Sequence, residues 1–278
     1  MFLGWPDSII LGLVTGFCEI LPVSVQAHGR ILLKFMGKGQ PPALMELLIH
    51  LAILAALYIS CQNHIIKMVR ASKMARIPKR KRKRPLDTRS LMDLSLWKTM
   101  LLPVVIVLLI WKKLETVSTN MIIMATLLFL NGLILYIPQF LPSSNKDCRS
   151  LSRVEGLLMG LGGCLFSIPG LSGMGAALSL ASVIGVERKY GLGMVLLMQM
   201  GIMAGKVVYA LFALFSEGFG GLTIPMVLCC FLAALFAFAA AFLSIRILRS
   251  MAENKGYGSF GYYSWGLALF TFILNLMA

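Results

Sequence analysis

Three ionisable side chains sit where an apolar chain has least reason to keep them. Glu19 and His28 lie in the mainly apolar segment 7–36, and Lys206 lies well inside the apolar run 191–215. A charged side chain within hydrocarbon costs several kcal/mol unless it is paired or hydrated, so each of the three is a site candidate by default. A carboxylate and an imidazole are the residue types of acid–base work. The plainer expectation is that Glu19 ties down a following half-helix near Ser24 with His28 as its partner. For Lys206 it is a side chain that snorkels to the interface. Lys206 is too deep in its run for snorkelling to come easily, and it is expected to face the site.

The elements that must position these residues are two interrupted segments. Segments 7–36 and 155–185 are each broken near the middle, by Leu21-Pro22-Val23-Ser24 and by Ile168-Pro169-Gly170-Leu171-Ser172. Proline removes a backbone donor and disfavours helix in the residue before it, so each segment reads as two half-length helices around a break. Unpaired backbone groups at membrane depth are tolerated only inside protein or beside a wet cavity. Full spans are expected near 42–61, 93–112, 118–138, 191–215, 222–245 and 260–277. The order is broken pair, three spans, broken pair, three spans. An odd number of crossings per half inverts the second half, as in an inverted repeat with its site at the repeat interface. The expected fold class is therefore an all-α polytopic membrane protein, a single integral membrane domain over 1–278. Its two halves, 1–140 and 150–278, each comprise a broken, re-entrant helix pair and three transmembrane helices.

Composition and charge agree. Of 278 residues, 58% are hydrophobic and only 13% charged, against about 25% charged in a soluble domain, which excludes a water-soluble globule. The net charge of +15 does not point to nucleic acid. The basic residues concentrate between 62 and 98, at Lys67, Arg70, Lys73, Arg76, Lys79 to Arg84, Arg89 and Lys98. That stretch reads as a cytoplasmic loop lying against anionic headgroups. The remaining loops then alternate correctly: Lys146, Arg149, Arg153, Arg246, Arg249 and Lys255 fall inside, Glu217 outside, with Lys112 and Lys113 as mild exceptions. The cysteines show neither a disulfide framework nor zinc spacing. The first apolar stretch lacks a basic leader and a small-residue cleavage site, and is expected to remain in the mature chain.

At the two breaks the sequence resembles the bacitracin-resistance family of undecaprenyl-diphosphate phosphatases. The family pattern E-G-x-x-E-F-L-P-[IV]-S-S-T-G-H is matched by Thr15-Gly-Phe-Cys-Glu19-Ile-Leu-Pro-Val-Ser24-Val-Gln-Ala-His28, and P-G-x-S-R-S-G by Pro169-Gly170-Leu171-Ser172-Gly173-Met174-Gly175. Similarity continues through Glu46 to Leu51, Phe242 to Arg246 and Phe260 to Tyr263. The resemblance implies a multi-pass enzyme of the bacterial cytoplasmic membrane that cleaves the terminal phosphate from the lipid carrier of cell-wall precursors. It also implies roles: Glu19 and His28 in metal or acid–base chemistry, Ser24 and Ser172 on phosphate, and a divalent cation, Mg²⁺ or Ca²⁺, held in part by Glu19.

The departures bear on activity. The family's first Glu is Thr15 here, its Arg is Gly173, the following Ser is Met174, and its Ser-Thr is Val25-Gln26. Loss of the Arg forfeits a bidentate phosphate contact, and loss of one carboxylate weakens a site for a cation that prefers several oxygens. Lys206 or Arg30, with backbone donors at Gly170, Gly173 and Gly175, could hold phosphate in their place. Two functions follow: hydrolysis of a polyprenyl diphosphate, or, in a catalytically degenerate relative, binding or translocation of a polyprenyl phosphate. A homodimer is left open. Glu46 and His50, one turn apart, read equally as a ligand pair or as a helix-end Glu beside a satisfied histidine. Gly156, Gly160, Gly163, Gly201 and Gly205 read as close helix packing.

Overall fold

The computed structural model describes residues 4–82, 84–116, 120–141, 145–218, 223–254 and 256–276, with side chains omitted for 112–116 and 254. Parts of the expected turns at 113–118, 139–154 and 216–221, the side chains of Lys112 and Lys113, and Lys255 lie outside the described residues. Apart from an isolated bridge between Lys146 and Val186, the regular structure among the described residues is helical.

The first break falls where proline places it. Helix α1 (Trp5–Ile20) ends at Leu21, whose extended backbone precedes Pro22, and α2 (Val25–Met36) begins under the Ser24 side chain and ends at left-handed Gly37. The second break has the same plan. Helix α6 (Arg153–Cys164) starts in a capping box between Ser152 and Glu155, with Lys146 Nζ 2.8 Å from Glu155. After a short 3₁₀ turn at Leu165–Ser167, Gly170 adopts φ +101°, and α7 (Gly173–Ile184) starts with Ser172 as its cap.

Between and after these pairs run α3 (Ala43–Ala75), α4 (Thr88–Thr116), α5 (Met121–Tyr136), α8 (Arg188–Glu217), α9 (Ile224–Asn254) and α10 (Ser259–Leu276). Five helices, α3, α4, α5, α8 and α9, are long and apolar enough to cross a membrane. The expected span at 260–277 corresponds to α10, whose 18 residues are diluted by Tyr262, Tyr263 and Ser264; it lies along α5, where Trp265 Nε1 donates to the Phe129 carbonyl at 3.1 Å. The long helices carry little amphipathicity and expose large apolar side chains such as Leu109, Phe212 and Leu235, the pattern of helices whose outer faces meet lipid rather than water.

The basic stretch is structured differently from a loop over 62–98. Helix α3 continues through Lys67, Arg70 and Lys73 to Ala75, and α4 starts at Thr88 ahead of Arg89 and Lys98. At 33 residues α3 is about 50 Å long, well beyond a bilayer's hydrocarbon thickness. The connection is 76–87, closed by Asp87, whose carboxylate accepts from the Ser90 hydroxyl (2.7 Å) and amide (3.1 Å). Those bonds hold the Asp87 carboxyl below its ordinary range.

Close backbone approach binds the helices that carry the breaks. A Cβ on Gly16 would lie 2.4 Å from the Ala237 carbonyl of α9, and one on Gly160 would lie 2.3 Å from the Met100 carbonyl of α4. Gly156, Gly163, Gly201 and Gly205 are equally tight against Leu96, Met198, Leu101 and Leu108, so the packing expected of these glycines is present.

Candidate active site

Breaking α1 frees backbone carbonyls that a continuous helix would satisfy, and α8 supplies the partner. Val23 N–H bonds Leu21 rather than reaching back to Glu19. The Glu19 carbonyl instead accepts from Gln199 Nε2 at 2.9 Å, and the same amide nitrogen lies 3.2 Å from Glu19 Oε2. Seven residues on, two turns further along the same face of α8, the Lys206 ammonium donates to Glu19 Oε1 in a buried ion pair. Both side chains are almost wholly enclosed, at 3% and 4% exposure. Lys206 Nζ also stands 5.5 Å from the ring centroids of Trp111 and Phe166, within range of the rings' attraction for a cation. Lys206 therefore faces inward, as its depth in the sequence requires, and the partner of Glu19 is Lys206 rather than His28.

This pair forms one wall of a cavity of about 500 Å³ between α1, α2, α3, α4 and α8. Thr15, one turn before Glu19, lines it, as do Gln26 and Arg30 from α2, Glu46 and His50 from α3, and Glu217 from α8. Both polar atoms of the Gln26 amide are shielded and have no hydrogen-bond partner among the described residues. A buried donor and acceptor left unmade are costly, and here they are available to a ligand.

The serines and glycines of the two motifs do different work. They build the contact that joins the breaks. Gly170 N–H donates to Ser24 Oγ at 2.9 Å, and that oxygen also receives Ala27 N–H at the start of α2. Ser172 Oγ accepts from Gly175 N–H at 3.1 Å, while Ser172 N–H donates to Asn131 Oδ1 (2.9 Å), whose amide donates on to Ser264 Oγ (2.9 Å). Ser24, Ser172 and Asn131 are buried. A Cβ on Gly175 would touch Pro22 at 3.2 Å, and one on Gly173 would strike the Gly163 carbonyl at 2.3 Å. The Gly170 and Gly175 amides are thus already donating within the protein.

His28 faces a third direction. Its Nδ1 lies 2.6 Å from the Ser24 carbonyl and its Nε2 2.7 Å from the Tyr263 hydroxyl, and the two rings stack at 5.6 Å. A carbonyl can only accept, so His28 carries a proton on Nδ1 and donates it to Ser24, while Nε2 shares the second hydrogen bond with the Tyr263 hydroxyl. Of the expected site residues, Glu19, Lys206 and Arg30 share the cavity. Ser24, Ser172, Gly170, Gly173 and Gly175 lie in the joint between the breaks, and His28 turns to α10. Trp111 and Phe166, which flank the ammonium, and Asn131, which ties α7 to α5 and α10, carry no motif signal.

The donor set does not fit a divalent cation. The one motif carboxylate is engaged at both oxygens by Lys206 and Gln199, and among the described residues no three His, Cys, Asp or Glu gather to hold a metal.

The sequence profile described as bacitracin resistance protein BacA matches residues 8–270. The chain belongs to the BacA family. Proteins named undecaprenyl-diphosphatase align with it from end to end. That of Renibacterium salmoninarum is 27% identical over 97% of this chain and 95% of its own length. That of Methanobrevibacter smithii is 26% identical over 96% of each, and that of Corynebacterium glutamicum strain R is 25% identical over 98% of this chain and 91% of its own length. BacA membership together with five apolar helices makes this a multi-pass bacterial membrane protein. Against the BacA motifs, the departures divide between the two regions: Thr15 and Gln26 line the cavity, whereas Gly173 and Met174 are buried near the joint.

Proposed function

We propose that the protein is an undecaprenyl-diphosphate phosphatase of the bacterial cytoplasmic membrane, which hydrolyses the polyprenyl diphosphate to its monophosphate and so returns the lipid carrier to use. The observation that carries this reading is the end-to-end BacA match, with the motif carboxylate Glu19 exposed to a cavity beside the only strongly enclosed ammonium among the described residues.

The reaction needs charge stabilised on phosphoryl oxygens and a proton removed from water. The oxygen of water attacks the terminal phosphorus, and the bridging P–O bond breaks. The bridging oxygen leaves on the polyprenyl phosphate, and the terminal group departs as inorganic phosphate. Lys206, with Arg30, receives the phosphate oxygens. As the ammonium turns from Glu19 to phosphate, the carboxylate is released to take the proton from water. Gln199 keeps Glu19 in place through both backbone and side chain, and Gln26 offers its amide to the headgroup.

The observed order, α1–α2, three helices, α6–α7, three helices, supports the inverted-repeat reading, with halves at 1–140 and 150–278 and both broken pairs re-entrant. The basic residues of 62–98 are assigned to the cytoplasmic side, against anionic headgroups.

Purified protein in lipid nanodiscs is expected to release phosphate from undecaprenyl diphosphate, and Glu19→Gln to lower that rate about a hundredfold or more, the usual worth of a positioned base. No release by the native chain, or full activity in Glu19→Gln, contradicts the assignment. Headgroup binding without release, abolished by Lys206→Ala or Arg30→Ala, would instead identify a non-hydrolytic carrier.

A further inference from the structure

We infer that Lys206 is the resident cation of this site: the lipid diphosphate is bound, and cleaved, on a protein ammonium, without a divalent metal ion. The inference rests on the cavity being the headgroup site, as proposed above, and concerns what neutralises the headgroup there.

The positive charge that a metal ion would bring to a diphosphate is carried in this cavity by a side chain. A hard divalent cation collects six or more oxygens and prefers several carboxylates. Here Glu19 is the one motif carboxylate, and the helical position one turn earlier on the same cavity wall is neutral Thr15. Among the described residues the other acidic and imidazole groups of the lining, Glu46, His50 and Glu217, do not gather with it into a set of three. The carboxylate oxygens are taken by Gln199 and by Lys206. An ammonium seated on Glu19 occupies the place a cation would take and repels any second one.

The ammonium is also fixed as a metal would be. It is wedged between Glu19 and the faces of Trp111 and Phe166, each 5.5 Å away, on a side chain only 3% exposed. Such a group can swing from carboxylate to phosphate without leaving the cavity, whereas a surface lysine would be lost to water. With neutral Thr15 where the family motif has Glu, the one motif carboxylate, Glu19, is balanced by the single charge of Lys206 without an ion.

The test compares native chain in nanodiscs carrying undecaprenyl diphosphate, in excess EDTA and in millimolar Mg²⁺ or Ca²⁺, reading both lipid retention by native mass spectrometry and phosphate release. Retention and release are expected to agree within about twofold between EDTA and metal, since no metal-generated nucleophile is lost. Lys206→Met should lower retention in EDTA. Thr15→Glu combined with Lys206→Met should acquire a bound Mn²⁺ signal in electron paramagnetic resonance that the native chain lacks. A fall of about tenfold or more in native retention and release on adding EDTA, restored by Mg²⁺, overturns the inference. Retention in EDTA with no release under any condition leaves the resident cation standing and removes the hydrolytic function. No retention under any condition removes both.

Discussion

Lys206→Met is expected to cost about 3–5 kcal/mol of stability, the usual penalty for stripping one partner from a buried ion pair, and to abolish turnover. The Glu19 carboxylate, 4% exposed, would be left with the Gln199 amide and no counter-charge. Its helix is fixed against α9, where Gly16 sits against the Ala237 carbonyl, so it cannot move out to gain more water than the cavity admits. Two further substitutions separate the charge effect from the loss of packing against Trp111 and Phe166. Glu19→Gln alone leaves an unpaired ammonium and should destabilise comparably. Glu19→Gln with Lys206→Met removes both charges and should recover most of the loss, because a buried pair replaced by neutral groups is often no less stable than the pair itself. The cysteines provide the readout: all six are free and buried, so a thiol-reactive dye reports unfolding as they are exposed on heating. Equal melting temperatures for native chain and Lys206→Met would refute the pair's structural role.

Gly173→Arg, which restores the residue of the family motif, is expected to damage the protein rather than improve it. The first carbon of any side chain at 173 would lie 2.3 Å from the Gly163 carbonyl and 2.8 Å from the Phe166 amide nitrogen. Both obstacles are backbone, so α7 would have to move away from α6. Overpacking of this kind costs about 1–3 kcal/mol where side chains can yield, and more where they cannot. Movement at 173 also disturbs Ser172, which caps α7 and donates to Asn131. Gly173→Ala should show the same direction with a smaller loss, and phosphate release should fall in both. A rise in release by Gly173→Arg at unchanged melting temperature would show that the cavity lacks a phosphate cation, contrary to a phosphate-binding role for Lys206.

These two residues mark how far the sequence could be read. The helix breaks were legible because proline acts locally: α1 stops at Leu21 before Pro22, and the second pair breaks at Pro169. The inward direction of Lys206 was legible from depth alone, since no interface lay within its reach. The division of the motifs was not. Ser24 bonds Gly170 across 146 positions, and no local pattern encodes such a contact. The position of His28 off the cavity face of α2 could have been read from helical geometry. Gln26, Arg30 and Leu33 follow one another on the cavity face of α2, and position 28 is about 200° around the helix from 26. The basic stretch misled in a simpler way: lysine and arginine are good helix formers, so charge at 67–73 ended the hydrophobic run without ending α3.

The central claim, that the lipid headgroup occupies the Glu19–Lys206 cavity, is tested most directly by chemical protection. Gly29 lines the cavity and an added Cβ there meets nothing within 4 Å, so Gly29→Cys introduces a thiol without strain into a chain whose own cysteines are buried. Undecaprenyl diphosphate is expected to slow its reaction with a small methanethiosulfonate by about tenfold or more, since a filled cavity excludes the reagent, and to leave Tyr262→Cys on exposed α10 unaffected. Equal labelling of Gly29→Cys with and without the lipid would contradict the account.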